Sequence, residues 1–428
     1  MRHFTDARMA ALQWVEESMR SLGIERACLL VDVRGLLRLV VWGGGDSWRG
    51  ELDDGLGSSE VAGPFWTGEV WLPGRSAEVP VDLGDAAWEM AMPVGQGGSL
   101  RVLDRHLSKE SWLGRGSQPP WPLGQGPPIV SFWSFKGGVG RTTVLAAVAV
   151  NAAQQGRRVV VVDTDVECPG LHSVFAPGDP GTQVRFGVVD YWVESAAIGA
   201  DQLDITDYYG ECRLSDGEPV IVVPAGIVDD QYLEKLARVN YEPGHPLERA
   251  PLDPLLRAVC EDTRPDLVLL DSRSGLHDMG GLAVSGTAHL QVLMGVMGRQ
   301  SWDGLRLAVR HLGADMVARG LKQRECLMVH AMASRDADRR AGEEVAFRES
   351  SYDVFQELFY DPGDEVDAEW PTPDAAFPDA PHYPSVIHYD GDLVGYSHVE
   401  QVIHVLPRDH YAALAGRIWD RLVSEEQP

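Results

Sequence analysis

The 428-residue chain is short of several things, and each shortage narrows what it can be. No apolar run approaches the roughly 18–20 residues that cross a bilayer, so no membrane span is expected. The opening stretch, Met1-Arg-His-Phe-Thr-Asp6, is too polar for a signal peptide, and no export is expected. There are five cysteines (Cys28, Cys168, Cys212, Cys260 and Cys326), scattered and without a C-x-x-C pair. That pattern argues against a disulfide framework or a zinc cluster and fits reduced thiols in a cytoplasm. Positive charge is also scarce. With 37 Lys and Arg against 64 Asp and Glu, the net charge is −27, which repels nucleic acid and anionic lipid. The longest basic grouping, Arg335 to Arg340, is interrupted by Asp336 and Asp338, so nonspecific DNA binding is not expected. The thirteen histidines form no H-E-x-x-H pattern, and no G-x-S-x-G elbow occurs.

Proline and glycine, by contrast, are concentrated. Residues 114–128 read Gly-Arg-Gly-Ser-Gln-Pro-Pro-Trp-Pro-Leu-Gly-Gln-Gly-Pro-Pro, which sustains neither a helix nor a central strand. We take this as a linker, with a small α+β module over 1–113 before it and a second domain over 129–428 after it. In the module, Met9, Leu12, Val15, Met19 and Leu22 recur at helical spacing and predict a helix over 5–22. Ala27–Val33 and Leu36–Trp42 flank Arg34-Gly35 as a hairpin would. Further strands are expected around Glu69–Leu72, Trp88–Pro93 and Ser99–Leu103. The module shows no catalytic motif, and it reads equally as an adaptor, a sensor or a structural appendage.

Past the linker, aliphatic runs alternate with helical patterns. Strands are expected at Ile129–Trp133, Val159–Asp163, Val220–Val223, Leu267–Asp271, Gln291–Val296, Cys326–Ala331 and Ser385–His388. Runs with so little polar alternation suit strands covered on both faces, hence a doubly wound α/β domain with a mainly parallel sheet. Residues 359–384 are rich in Asp and Glu and hold no Lys or Arg; they read as a solvated loop or as a contact for a basic partner. His410 to Val423 is amphipathic and mixed in charge, which suits a helix packed on the sheet.

The chemistry lies at residues 134–143, Ser-Phe-Lys-Gly-Gly-Val-Gly-Arg-Thr-Thr. They sit between a buried strand and a helix start, where backbone N–H groups make a nest for a polyphosphate. Gly137, Gly138, Val139 and Gly140 would supply that backbone, with glycine allowing a tight curl. Thr142 is placed to give its hydroxyl to Mg²⁺ and Thr143 to reach an inner phosphate. Two buried strands then end in carboxylates: Val159-Val-Val-Val-Asp163-Thr-Asp165, and Leu267-Val-Leu-Leu-Asp271-Ser-Arg-Ser-Gly275. Acids at strand ends beside a polyphosphate are natural ligands of its metal, directly or through water.

Lys136-Gly-Gly-Val-Gly-Arg-Thr-Thr resembles the deviant Walker A loop, K-G-G-x-G-K-[ST], of the ParA/MinD-type ATPases of the SIMIBI class of P-loop NTPases. Asp163-Thr-Asp165 resembles that family's D-x-D element, Asp271 its Walker B aspartate, and Val386-Ile-His-Tyr-Asp390 a late segment beside the base. The likeness is nearer still to a bacterial variant group with K-G-G-V-G-R, D-x-D-x-E-x-P-G-L and D-S-R-[ST]-G, matched here by Asp163 to Leu171 and by Asp271 to Gly275. The resemblance implies ATP and Mg²⁺ as cofactors and a nucleotide-dependent homodimer that controls a partner protein. It implies that Lys136 reaches the partner subunit's phosphates and that Thr142, Asp163 and Asp271 surround the metal. Asp165 would orient the attacking water, and Gly275 would offer its N–H to the γ-phosphate. Gln300 and Ser301 would approach the dimer partner. The preference for ATP over GTP rests on the resemblance alone.

Arg141 stands where the common loop has lysine. A guanidinium is longer and planar, and it grips phosphate in a fork. Charge is kept, so nucleotide binding is expected to survive. The cation's position is not kept, so hydrolysis is expected to be slow. Two functions follow: a slow switch ATPase, serving positioning, assembly control or a bacterial defence-type system, or a pseudoenzyme scaffold that binds nucleotide without significant turnover. Arg273 would add a second guanidinium to the site or form a salt bridge on the sheet surface.

Overall fold

The structure, a computed structural model, describes residues 3–43, 47–74, 81–94, 98–106, 109–113, 118–176, 184–239, 252–319, 325–360 and 372–423. Contacts divide the chain into two compact units, Met1–Ser108 and Lys109–Pro428. The division falls just before the start of the Pro/Gly-rich stretch. Residues 109–113 therefore belong with the second unit, not with the first module in which the sequence places them.

In the first unit, helix α1 (Phe4–Leu22) turns Ala7, Ala11, Val15 and Met19 inward. It stops at Gly23, whose left-handed backbone returns its N–H to the Met19 carbonyl. Strands β1 (Arg26–Val31) and β2 (Leu37–Trp42) pair antiparallel as the expected hairpin. Asp32 shapes the turn, its carboxylate accepting the N–H groups of Arg34 and Leu36. Helix α2 (Ser47–Ser58), strand β3 (Trp66–Trp71), helix α3 (Val81–Met90), and strands β4 (Met92–Val94) and β5 (Leu100–Asp104) complete the unit. The sheet order is β3-β2-β1-β5-β4. Leu52 and Leu56 of α2 pack with α1 on one face. The sequence expectation erred at Trp88, which lies in α3 with its ring edge-on to Trp42 at 5.2 Å, not in a strand. Its apolar run is too short for periodicity to separate helix from strand.

The second unit begins with the short helix α4 (Glu110–Leu113). The described part of the Pro/Gly stretch is packed, not free: Trp121 is buried and donates its indole N–H to the Pro127 carbonyl at 2.8 Å. There follow strand β6 (Ile129–Ser134), helix α5 (Arg141–Gln154), strand β7 (Val159–Asp163), helices α6 (Leu171–Phe175) and α7 (Val188–Ile198), and strands β8 (Gly210–Cys212) and β9 (Val220–Val223). Helices α8 (Tyr232–Val239) and α9 (Asp253–Thr263) lead to strand β10 (Leu267–Asp271), helix α10 (Asp278–Leu282), strand β11 (Leu290–Gly295) and helix α11 (Arg299–Arg319). Strand β12 (Glu325–Ala333), helix α12 (Ala337–Phe355), strand β13 (Ser385–His388) and helix α13 (Asp409–Val423) close the unit.

The eight strands lie in the order β13-β12-β11-β6-β10-β7-β9-β8, all parallel but for β8. This is the doubly wound α/β fold expected. Helices α5 and α13 cover one face, where Leu414 and Ile418 meet Val144 to Ala153. Helices α7 and α9, and further along α11 and α12, cover the other. Consecutive strands leave the centre in opposite directions: β6 lies between β10 and β11, so the carboxyl ends of β6, β7 and β10 open into one crevice. The segment after 359 is solvated as expected at 374–379, where Asp374 and Asp379 are exposed, and departs from that expectation at its end. Residues 361–371 lie outside the described part, but Ala380 and His382 are buried, and the His382 ring nitrogen Nδ1 meets the Tyr360 hydroxyl at 2.9 Å. No helix among the described residues is long and apolar enough to cross a membrane.

Candidate functional site

The loop between β6 and α5 has the shape its glycines predict. Gly138 and Gly140 adopt φ of 73° and 82°, the left-handed region that glycine enters without steric cost. A Cβ at either position would meet nothing within 4 Å, so backbone conformation and not crowding demands glycine there. Val139 points the other way and anchors the loop in the core. Lys136 is exposed at the rim. The first N–H groups of α5 face the loop, and their unpaired dipoles favour an anion. Thr143 is held by a hydrogen bond with the Tyr396 side chain, a contact no motif announced.

The acids arrive by strand register. Asp163 ends β7 and Asp271 ends β10, and parallel pairing sets them directly side by side. Asp163 is fully buried, and its carboxylate accepts the backbone N–H groups of Asp165, Gly170 and Leu171. It therefore shapes the turn from 164 to 171. Burial, reinforced by Asp271, raises its pKa well above the usual carboxylate range, and the N–H donors offset this only in part. Asp165 is raised too, by burial first, against the pull of Arg141.

Arg141 is not aimed into the loop as the phosphate-gripping expectation has it. Its guanidinium spans the acids, with Nε 2.6 Å from Asp271 Oδ1 and an Nη 2.8 Å from Asp165 Oδ2. Burial alone would lower its pKa, but Asp271 and Asp165 outweigh it and hold the cation fast. Thr142 donates to the other oxygen of Asp271 at 2.6 Å. Arg273 does both things considered for it: it pairs with Glu167 at 2.7 Å and stands 3.8 Å from Asp165 Oδ1. Glu167 in turn meets His277, a residue no sequence pattern singled out.

Three other residues of the expected site have partners within the chain. The Gly275 N–H is already donated to the Ser134 carbonyl at 3.0 Å, so a phosphate would have to draw it away. Ser301 is buried, its hydroxyl accepting the Val296 N–H at 3.1 Å, and only Gln300 is exposed. Asp390 is buried between the guanidiniums of Arg335 and Arg408.

Hard oxygen donors suit Mg²⁺, and Thr142 and Asp271 are already in contact. Asp165 Oδ1 is buried without a hydrogen-bond partner. Asp163 stands beside Asp271 with three backbone N–H groups on its oxygens, so a place in the metal's shell would be shared with its hold on the turn. Among the described residues no group of three His, Cys, Asp or Glu side chains could hold a metal by itself. The donor set fits a cation shared with a polyphosphate, the usual Mg²⁺ arrangement, and does not fit a cage built by protein alone.

A crevice at a topological switch point, a glycine loop at a helix N-terminus and strand-end acids define a P-loop nucleotide-binding protein. Residues 130–339 match the family model described as the CobQ/CobB/MinD/ParA nucleotide binding domain. The chain carries a ParA/MinD-type nucleotide-binding domain of the SIMIBI class, with that family's ATPase fold. It is 29% identical over 155 residues to a putative replication protein A of Rhizobium rhizogenes, covering 33% of this chain and 36% of that protein. It is 26% identical over 190 residues to an uncharacterized ATP-binding protein of Methanocaldococcus jannaschii, covering 44% and 61%. The matches thus span about a third and three fifths of these relatives. Similar solved structures include the septum site-determining protein MinD of Pyrococcus horikoshii complexed with Mg-ADP, at 21% identity, 50% of this chain, 72% of that chain and a TM-score of 0.34. Another is pNOB8 ParA, at 14% identity, 70% of this chain, 100% of that chain and a TM-score of 0.45.

Proposed function

We propose that this chain is an ATP-dependent dimeric switch that hydrolyses its nucleotide slowly, one of the bacterial K-G-G-V-G-R variants, acting in the cytoplasm on a partner protein. The observation that carries this reading is the meeting of the glycine loop, Thr142, Asp165 and Asp271 around one buried guanidinium, that of Arg141. The loop N–H groups and Thr143 take the phosphates. Mg²⁺ lies between Thr142, Asp271 and the nucleotide. Asp165 orients water, and Lys136, exposed at the rim, reaches the second protomer's phosphates. Hydrolysis is slow because Arg141 holds both acids that the reaction needs, and each turnover must loosen that grip.

The same two ion pairs favour a second reading, in which the grip is never released and the domain is a scaffold that binds nucleotide without turnover. Molar mass in solution separates them, measured with ADP, with ATP, and with ATP on the Asp165→Ala variant. The switch predicts a dimer with ATP, locked in the variant. One unchanged mass in all three conditions would sink it.

A further inference from the structure

We propose that His277 is a positioning residue for Asp165, acting through Glu167 and Arg273, and that residues 109–113 form a strap that holds His277 in place. The proposal rests on the switch-ATPase reading and extends it beyond the loop and the strand-end acids. The line of contacts is continuous. Asp165 Oδ2 is held by Arg141 at 2.8 Å, while its Oδ1 is buried, lacks a hydrogen bond and lies 3.8 Å from Arg273. Arg273 is drawn to Glu167 at 2.7 Å, and Glu167 is held from its other oxygen by the His277 Nε2. The ring is oriented from its far side: Nδ1 accepts the Met279 N–H at 3.4 Å, which leaves the proton on Nε2 to be donated to Glu167. Without His277, Glu167 at the half-exposed rim is free to rotate and to draw Arg273 away from Asp165.

The strap fixes the backbone that carries His277. Lys109 gives both its N–H and its Nζ to the Asp278 carboxylate, the latter at 3.0 Å. Ser111 donates to the Asp278 carbonyl at 2.8 Å, and the Trp112 indole donates to the His277 carbonyl at 2.7 Å. Packing is equally close. A Cβ on Gly281 would fall 2.4 Å from Ser111 Oγ and 2.8 Å from the Trp112 ring, so glycine is required for the strap to seat. Trp112 also meets Trp133 of β6, the strand that feeds the phosphate loop, with the rings tilted at 58° and centroids 5.5 Å apart. The segment held in this way starts directly after Asp271 and contains Gly275, whose N–H is bound to Ser134. The strap is the first stretch of the second unit.

The test is steady-state MgATP hydrolysis by the full chain. A displacement of about 1 Å at a group that orients the nucleophile costs up to about 10²-fold in rate, and an indirect role should cost less. His277→Ala should lower kcat about 10-fold with KM for MgATP within about 2-fold of wild type. His277→Gln, which can still donate to Glu167, should restore kcat to within about 2-fold. Glu167→Ala should match His277→Ala, and the double variant should be no slower than either alone, because one line of contacts is cut once. Trp112→Phe keeps an aromatic ring, though a smaller one, but loses the indole N–H, and should lower kcat about 3-fold; with His277→Gln it guards against a variant that merely fails to fold. Wild-type kcat in His277→Ala, or losses that multiply in the double variant, would overturn the proposal while leaving the switch reading intact. A wild-type chain without turnover would overturn both.

Discussion

Arg141 is the residue on which the site turns. Its guanidinium bridges two buried acids, Asp165 and Asp271. Replacement by lysine should have two effects. An ammonium lacks the planar fork that spans both acids, so its hold on at least one of them should loosen. We expect ATP turnover by Arg141→Lys to rise on the order of 10-fold. If the purified wild-type chain hydrolyses faster than this variant, the account of slow turnover is wrong. Arg141→Met should leave the acids uncompensated and cost about 3–5 kcal/mol in urea unfolding, the usual consequence of removing one partner of a buried ion pair. An unchanged midpoint would mean that the acids neutralise themselves by binding protons. The loop, Asp163 and Asp271 were legible in the sequence because glycine spacing and strand-end acids are local signals. The direction of the Arg141 side chain was not. It depends on the register that sets Asp271 beside Asp163, across a separation no local pattern encodes. His277 was hidden for the same reason: its partner Glu167 stands on a different strand's turn.

At the scale of elements, the buried strands were read almost to the residue, since each is an unbroken aliphatic run. What escaped were elements whose composition argues against them. Helix α2 contains Gly50, Gly55 and Gly57, a poor helix by propensity, yet it forms because Leu52 and Leu56 pack on α1. The acidic stretch before β13 reads as solvated from its charge, and Asp374 and Asp379 are exposed; what the charge hides is that the backbone at its end is tied down by Arg417, which donates to the carbonyls of Pro378, Ala380 and Tyr383. Helix α11 shows the reverse case, a glycine in a long helix that is there for contact. A Cβ on Gly304 would lie 1.8 Å from the ring of Phe135, the residue before Lys136. Gly304→Ala should gain helix propensity but force the helix off the loop. We expect a net loss of about 1–3 kcal/mol on unfolding and weaker ATP binding by calorimetry. A stabilised variant with unchanged affinity would show that Phe135 moves aside freely.

For the molecule as a whole, charge and burial pull stability in opposite directions as pH falls. Asp163 and Asp165 have raised pKa values in the fold, so on acidification they bind protons more readily folded than unfolded, and they favour the fold. The buried histidines act the other way. His330, 1% exposed and stacked on Phe347 at 4.3 Å, is pushed by burial from 6.5 to about 4. His172, His289, His382, His388 and His410 are also lowered, each by burial first. For such a group the unfolded chain binds the proton first, so stability is present above the unfolded value and is lost as pH falls toward the folded one. Between pH 7 and pH 5 the loss from His330 alone is roughly 2 kcal/mol. His330→Phe keeps the stacking and removes the titration. Urea unfolding at the two pH values should therefore show wild type losing about 2 kcal/mol more than the variant, whatever the acids contribute, because they are common to both. Equal losses would mean that His330 titrates in the folded chain much as it does in the unfolded one. The burial of its ring against Phe347 would then carry no electrostatic consequence.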